Sequence, residues 1–299
     1  MDILRIDNLK KRFGDKQVLC GVSLSVPAHS VFGFVGKNGA GKTTAMKAVL
    51  GLLRCDGGEI LVAGERVTYG QTSTNRHIGY LPDVPAFYPF MTAPEYLRLC
   101  GESMGMKHSE IAARTKELLS LVGLGEEKHR IKGFSRGMKQ RLGIASALLS
   151  RPKLLICDEP TSALDPIGRK EILDILSSVR DRTTVLFSTH ILSDVERICT
   201  DAALLNDGVI AMQGTVADLK SRHSTNAFSL ETTDEDVIER LLEAFPSARR
   251  TGKYTLSVAG DDNVLYSLLA FVAEHRIPIS HLERDEPSLE SLFVEVVSK

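Results

Sequence analysis

The 299-residue chain has no long apolar run. No stretch approaches the roughly 18 consecutive apolar residues that a membrane-spanning helix requires. The first ten residues carry charged side chains where a secretory signal peptide would need an apolar core. We therefore expect a protein that is made and kept in the cytosol.

The chain also has no closely spaced pair of cysteines and only a small net charge. The five cysteines are widely spaced, with no C-x-x-C pair and no Cys/His spacing typical of a zinc site. We expect them to be reduced thiols that fill small spaces in the core. The apolar fraction of 43% and the formal net charge of −1 exclude a disordered or collagen-like chain.

The balanced total hides an uneven distribution of charge along the chain. Residues 222–299 carry a net charge of −6, whereas residues 1–221 carry +5. The length fits two domains, at about 100–200 residues for each domain. We predict one domain at residues 1–221 and a smaller one at residues 222–299.

The first domain alternates predicted strands and helices. Residues 2–7 and 17–26 alternate apolar and polar side chains, as half-buried strands do. Apolar runs at 31–35, 153–159 and 183–190 predict buried strands, and a helical pattern lies between the last two. Strands that alternate with helices form a parallel sheet covered on both faces, so we predict an α/β fold.

Two other regions have different patterns. Residues 92–150 predict a helical insert, which begins at a capping box formed by Thr92 and Glu95, with Pro94 at an early helical position. Residues 227–297 predict the order β-α-β-β-α-β followed by a helix. This order is typical of a small ferredoxin-like α+β domain.

A glycine-rich segment follows the predicted strand at 31–35, and a helical stretch at 45–53 follows it. It matches G-x-x-x-x-G-K-[ST], the pattern of a phosphate-binding loop. Glycines let backbone N–H groups converge on phosphate oxygens, and the helix N-terminus favours negative charge. In this pattern Lys42 reaches the β- and γ-phosphates and Thr43 ligates Mg²⁺. The alternative is a structural turn. The predicted loop consists of Gly36, Lys37, Asn38, Gly39, Ala40, Gly41, Lys42, Thr43 and Thr44.

Three polar residues at strand ends complete a candidate site. Asp158 and Glu159 end the predicted strand at 153–159, where Asp158 would hold Mg²⁺ and Glu159 would act as general base on the attacking water. His190 ends the next predicted strand. An isolated histidine there is usually structural, but after a phosphate-binding loop it occupies the place of a γ-phosphate sensor.

These motifs and two further segments resemble the ATP-binding subunits of ABC transporters. Residues 36–44 match the Walker A loop of that family, 154–159 its Walker B strand, and His190 its switch histidine. Residues 134–141 resemble the ABC signature and 162–165 the D-loop. The resemblance implies a P-loop NTPase with a RecA-like core, an antiparallel β subdomain and a helical subdomain at about 92–150, followed by the small α+β domain.

The resemblance also implies a mechanism, in which the chain is an ATP hydrolase that uses ATP and Mg²⁺. Two such subunits pack head to tail, so that Ser135 and Gly137 of one face the γ-phosphate held by the other, and a homodimer is expected. Phe13 fits the position that stacks on adenine. Asp165 belongs to the D-loop at the same nucleotide site.

Two positions depart from the usual pattern of the family. The common signature is Leu-Ser-Gly-Gly, whereas this chain has Phe134-Ser135-Arg136-Gly137. Arg136 either adds a contact to phosphate or to the other subunit, or projects into solvent. The Q-loop glutamine is replaced by Asp83, a residue type that can ligate Mg²⁺, although its shorter side chain leaves that role open.

The resemblance places the transport pathway on another polypeptide, a separate membrane permease, and places this chain on the cytoplasmic face of a bacterial membrane. Residues 84–90 are rich in aromatics and prolines and are expected to dock the permease, with core packing as the alternative. The pattern at 287–293 resembles exporters of the bacitracin-resistance, multidrug and sodium type. No nucleic-acid partner is expected.

Two other functions stay open at this point. A non-transport ABC ATPase acting on DNA or ribosomes would carry a second cassette, coiled-coil or zinc insertions, or a strongly basic face, and none is present in the sequence. A regulatory subunit would bind ATP and scarcely hydrolyse it. Glu159 disfavours that function, whereas Asp83 leaves it open.

Overall fold

The computed structural model describes residues 2–71, 73–221, 227–284, 288–290 and 292–293. Their backbone divides into two compact units, one that extends to Ala217 and one that begins at Asp218. The helix predicted at 288–297 lies mostly outside the described residues. None of the helices in the described part combines the length and apolar character that are needed to span a bilayer.

The first unit contains strands of two sheets. In chain order they are β1 (Asp2–Phe13), β2 (Lys16–Pro27), β3 (Val31–Val35), β4 (Gly57–Val62), β5 (Glu65–Arg66), β6 (Ile78–Leu81), β7 (Leu154–Cys157), β8 (Thr184–Thr189), β9 (Asp201–Asn206) and β10 (Val209–Thr215).

Helices lie between these strands, with short 3₁₀ turns at Ser73–His77 and Ile131–Gly133. In chain order they are α1 (Lys42–Val49), α2 (Ala93–Ser103), α3 (His108–Leu121), α4 (Arg136–Ala147), α5 (Pro166–Ser178) and α6 (Leu192–Ile198). A last helix, α7 (Val216–Ser221), follows β10 and contains the boundary between the two units.

The larger sheet has the strand order β10-β9-β3-β8-β7-β6. All neighbours in it are parallel except β9 and β10, which form an antiparallel hairpin. Every residue of β3, β7 and β8 is buried, as expected for central strands with both faces covered. Because these three strands are neighbours, the loops that follow their carboxyl ends meet at one edge of the sheet. That edge is where a ligand site is expected in an open α/β sheet.

An antiparallel sheet of order β2-β1-β4-β5 completes the main core of this unit. Its apolar side chains, such as Leu4, Ile6 and Leu19, pack in one cluster with Phe32 of β3 and Met46 of α1. This cluster fixes α1, and therefore the glycine-rich loop before it, against both sheets.

Strand β1 is longer than the sequence pattern at 2–7 predicts, since it continues to Phe13. The pairing with β2 extends to the Phe13–Lys16 pair but contains several register shifts. Residues 10–13 are mostly charged and largely exposed, so the period-two alternation is lost although the backbone ladder continues.

Residues 92–150 contain α2, α3 and α4. The Glu95 carboxylate accepts hydrogen bonds from the Thr92 backbone N–H at 2.8 Å and from the Thr92 hydroxyl at 2.9 Å. These bonds start α2 where the sequence predicts a helix to begin. The carboxyl pKa of Glu95 is lowered, chiefly because the Thr92 backbone N–H donates to it.

The second unit has the predicted order of strands and helices. Its elements are β11 (Ala227–Thr232), α8 (Glu235–Ala244), β12 (Ala248–Arg250), β13 (Thr255–Ala259), α9 (Asp262–Glu274) and β14 (Ile279–Arg284). The strands form an antiparallel sheet of order β12-β13-β11-β14. Apolar residues of the strands and of both helices, including Leu230, Ile238 and Leu268, form a separate core. This is the arrangement of a ferredoxin-like α+β unit.

Candidate functional site

The loop from Gly36 to Thr44 connects buried β3 to α1. A Cβ on Gly36 would lie 2.6 Å from the backbone oxygen of Leu205, so no larger residue fits there. Gly41 has a φ of +108° and caps α1 with no acidic residue in the first helical turn. The free N–H groups at this helix start therefore offer a positive partial charge to an anion.

Lys42 is the first residue of α1, and its side chain is almost fully buried. Its Nζ donates to the carbonyl oxygen of Gly36 at 2.6 Å and to that of Lys37 at 3.3 Å. It also lies 3.0 Å from Oε1 of Glu159. The ammonium group is thus held beneath the loop, where the loop backbone and one carboxylate offset the cost of its burial.

Asp158 follows β7 directly and is buried. The hydroxyl of Thr43 donates to its Oδ2 at 2.7 Å, and the hydroxyl of Ser188 donates to its Oδ1 at 2.6 Å. Ser188 also accepts the backbone N–H of Glu159 at 2.9 Å. The orientation of the carboxylate is therefore set by β8 on one side and by α1 on the other.

The backbone of Glu159 has a φ of +48°, a left-handed conformation that residues other than glycine rarely adopt. A residue held in this conformation lowers the free energy of unfolding by about 1–3 kcal/mol, and the conformation persists only where surrounding contacts enforce it. Here the enforcing contacts are the Ser188 hydroxyl on its backbone, Lys42 on Oε1, and Nδ1 of His190 at 2.9 Å from Oε2. The strained backbone directs the carboxylate between a lysine and a histidine.

These groups line a cavity of about 350 Å³ at the carboxyl edge of the large sheet. Most of its lining residues come from the glycine-rich loop and from the segments after β6, β7 and β8. The lining residues are Asn38, Gly39, Gly41, Lys42, Thr43, Thr44, Asp83, Asp158, Glu159, Ser162 and His190.

The donor set of the cavity fits a magnesium–phosphate complex. Mg²⁺ prefers oxygen ligands and is usually held by one or two carboxylates together with substrate phosphates. The Thr43 hydroxyl and the Asp158 carboxylate supply such oxygens next to one another. The loop backbone and Lys42 supply donors for the phosphates.

The remaining predicted residues lie outside the cavity lining, among them Gly36, Lys37 and Ala40 of the loop. Ser135 is exposed and caps α4, and its hydroxyl accepts the backbone N–H of Met138 at 3.2 Å. Gly137 is in the first turn of the same helix. Asp165 caps α5 by accepting the backbone N–H of Gly168 at 3.1 Å. Phe13, at the end of β1, is 47% exposed.

Asp83 and Arg136, the two departures from the family pattern, are in contact. Nη2 of Arg136 lies 3.3 Å from Oδ1 of Asp83. The contact joins the segment after β6 to the first turn of α4, and Asp83 also lines the cavity. Arg136 is thus half-exposed and pairs within its own chain, a contact that neither alternative stated for it includes.

Two residues at the site escaped the sequence reasoning. Ser188 bridges Asp158 and Glu159, and Gln140 of α4 donates to the backbone oxygen of Asp83 at 2.7 Å. Both side chains are fully buried. A polar residue in an otherwise apolar strand was a usable signal for Ser188, because a buried hydroxyl needs a partner. Gln140 lies within residues 134–141, the segment that resembles the ABC signature, but that resemblance assigned it no role.

Curated relatives match the chain over nearly its whole length. The ABC transporter ATP-binding protein YxlF of Bacillus subtilis (strain 168) is 37% identical over 99% of both chains. The linearmycin resistance ATP-binding protein LnrL of the same organism is 34% identical over 99% of both. The bacitracin transport ATP-binding protein BcrA of Bacillus licheniformis is 33% identical over 99% of this chain and 97% of its own length.

Family profiles and solved structures agree with these relatives. Residues 19–162 match the ABC transporter family, and residues 214–297 match the C-terminal domain of DrrA1-3-like ATP-binding proteins. A solved ATP-binding subunit of an ABC transporter superposes with a TM-score of 0.66 at 32% identity, over 74% of this chain and 92% of that one. The predicted fold class is confirmed. The chain belongs to the ABC transporter ATP-binding proteins and is the ATP-hydrolysing subunit of such a transporter.

Proposed function

We propose that the cavity beneath the glycine-rich loop is where this subunit binds and hydrolyses Mg-ATP. The backbone of residues 36–44 and the ammonium of Lys42 hold the phosphates. Thr43 and Asp158 are the residues that would hold Mg²⁺, which neutralises phosphate charge during transfer. Phe13 stacks on the adenine. The exposed ring of Phe13 and the position of Lys42 under the loop support these roles.

Glu159 is the proposed general base, and its contacts carry the proposal. One carboxylate oxygen faces Lys42 and the other faces His190. A bound triphosphate competes with Glu159 for Lys42, which leaves Oε1 able to accept a proton from the attacking water. His190 holds the other oxygen and is positioned to donate to the γ-phosphate.

ABC ATP-binding subunits dimerise and work with membrane permease subunits. For this chain we propose a head-to-tail homodimer in which Ser135 and Gly137 contact the γ-phosphate on the partner subunit, with the D-loop Asp165 nearby. Exposure of Ser135 at the start of α4 supports this role, because its hydroxyl and the helix N-terminus both favour an anion.

The proposed permease is a separate polypeptide that exports its substrate, with this chain on the cytoplasmic face of the membrane. The names of LnrL and BcrA connect those relatives with antibiotic resistance and transport. Residues 84–90 are the proposed docking segment. Val84, Tyr88 and Phe90 are 71%, 52% and 61% exposed, which favours docking over core packing.

Replacement of Glu159 tests the catalytic proposal. Glu159→Gln keeps the shape of the side chain but removes its basicity, so hydrolysis should fall by about 10²- to 10⁴-fold, the contribution typical of a general base. In the presence of ATP, the Glu159→Gln variant should then accumulate as an ATP-bound dimer, which size-exclusion chromatography detects. Glu126→Gln, at an exposed position away from the cavity, is the matched control. Hydrolysis at the wild-type rate in Glu159→Gln would show that another group is the base.

A further inference from the structure

Asp83 is fixed by its backbone at the mouth of the cavity. The buried amide of Gln140 donates to its carbonyl oxygen at 2.7 Å. Two residues earlier, the carbonyl oxygen of Leu81 accepts the backbone N–H of Asp158 at 2.8 Å. Leu81 in turn packs so closely on α4 that a Cβ on Gly143 would lie 2.4 Å from it. The position of Asp83 is thus set without help from its own carboxylate.

Arg136 lies where a cation is unfavourable for the helix. It is the first residue of α4, and the N-terminal end of a helix carries a positive partial charge. The charge of Arg136 therefore does not stabilise the start of α4. Its one ion pair among the described residues is the contact with Asp83, in which the two side chains are 44% and 46% exposed.

Charge neutralisation differs among the three carboxylates that line the cavity. Glu159 faces Lys42 and His190, and the two oxygens of Asp158 accept from hydroxyls. Asp83 has Arg136 as its only charged partner in the described part of the chain. Without Arg136, an unneutralised carboxylate would face the polyphosphate that the cavity is proposed to bind.

We propose that Arg136 is a positioning residue for nucleotide binding: it neutralises Asp83 and keeps that carboxylate on α4, so that an acidic side chain is tolerated at the cavity mouth. The inference rests on the proposed nucleotide site. In this chain the arginine of the signature segment and the aspartate after β6 compensate for the charge of each other.

The test is calorimetric titration of the full-length protein with ADP in EDTA at low salt. Arg136→Ala should weaken binding by about two- to five-fold, the range typical of an exposed charge pair. The double variant Asp83→Asn/Arg136→Ala should bind as Asp83→Asn does, and Arg136→Lys should stay near wild type. The loss should shrink at about 0.5 M salt, because exposed charges are then screened.

Controls separate this inference from the nucleotide site itself. Lys116→Ala removes one positive charge from the exposed face of α3 and should leave the affinity unchanged. Lys42→Ala should abolish binding. If Lys42→Ala binds normally, the proposed site fails. If only Lys42→Ala loses affinity, or if the Arg136→Ala loss persists in the double variant or at high salt, charge neutralisation by Arg136 is refuted.

Discussion

Ser188 is the side chain through which β8 contacts Asp158 and Glu159, two of the three acidic residues that line the cavity. It is fully buried, and its single hydroxyl donates to Asp158 while it accepts from the backbone of Glu159. Removal of the hydroxyl frees one oxygen of Asp158 and deprives the strained Glu159 backbone of a partner. Both effects act on the geometry of the site, since neither Asp158 nor Glu159 is itself altered.

Ser188→Ala should therefore reduce hydrolysis by about 10- to 100-fold, as is typical when the partner of a metal-ligating carboxylate is removed. The Mg²⁺ concentration needed for half-maximal rate should rise, and the gain in ATP affinity that Mg²⁺ produces, measured by titration, should become smaller. Ser178→Ala is the control, because its hydroxyl donates to a backbone oxygen in α5, outside the cavity. If Ser188→Ala lowers only the melting temperature and leaves the Mg²⁺ requirement unchanged, the role of Ser188 is structural alone.

Local patterns in the sequence predicted the residues whose roles depend on their neighbours in the chain. The glycines of the loop are required by the close backbone approach at Gly36 and the left-handed φ at Gly41. The bridging role of Ser188 and the Asp83–Arg136 pair depend on tertiary contacts across 29–53 residues of sequence. No periodicity or motif encodes such contacts, because strand order and helix packing create them.

Helix α2 shows how a local signal can carry a pH dependence. Thr92 and Glu95 predict its start, and the Glu95 carboxylate accepts two hydrogen bonds from Thr92. Since these donors lower the carboxyl pKa of Glu95 below its ordinary value of 4.5, the folded state favours the ionised form. The stability that ionised Glu95 contributes is fully present at a pH above its ordinary pKa of 4.5, and it is lost as the pH falls through the lower pKa of the folded state.

Glu95→Gln keeps one acceptor oxygen and removes the charge alone. In urea unfolding monitored by far-UV circular dichroism, we expect Glu95→Gln to have a lower midpoint than wild type at pH 7. The difference between the two midpoints should become smaller as the pH is lowered to 4 and below. Glu126→Gln is the control for the loss of one exposed carboxylate. A difference of constant size across this pH range would contradict a role for ionised Glu95 at the start of α2.

Among the described residues, each unit has a hydrophobic core cluster, and the two clusters share no residue. The first includes apolar side chains from both sheets of the first unit, and its last residue in the chain is Leu205. The second consists of residues from Leu230 to Ile277. All residues that line the proposed nucleotide cavity belong to the first unit. A domain with its own core can fold alone. We therefore propose that residues 1–221 form an autonomous ATPase domain and that residues 222–299 form an accessory domain.

A chain ending at Ser221 tests this division, since it keeps α7 and every element of both large sheets. We expect one cooperative thermal transition by circular dichroism and an ADP affinity within about two-fold of the full-length value, because no cavity residue is removed. The isolated segment 222–299 should show its own transition, since its core is complete without the first unit. Loss of cooperative folding in both fragments would mean that the two cores stabilise each other. If the chain ending at Ser221 folds normally but does not bind ADP, residues 222–299 take a direct part in nucleotide binding.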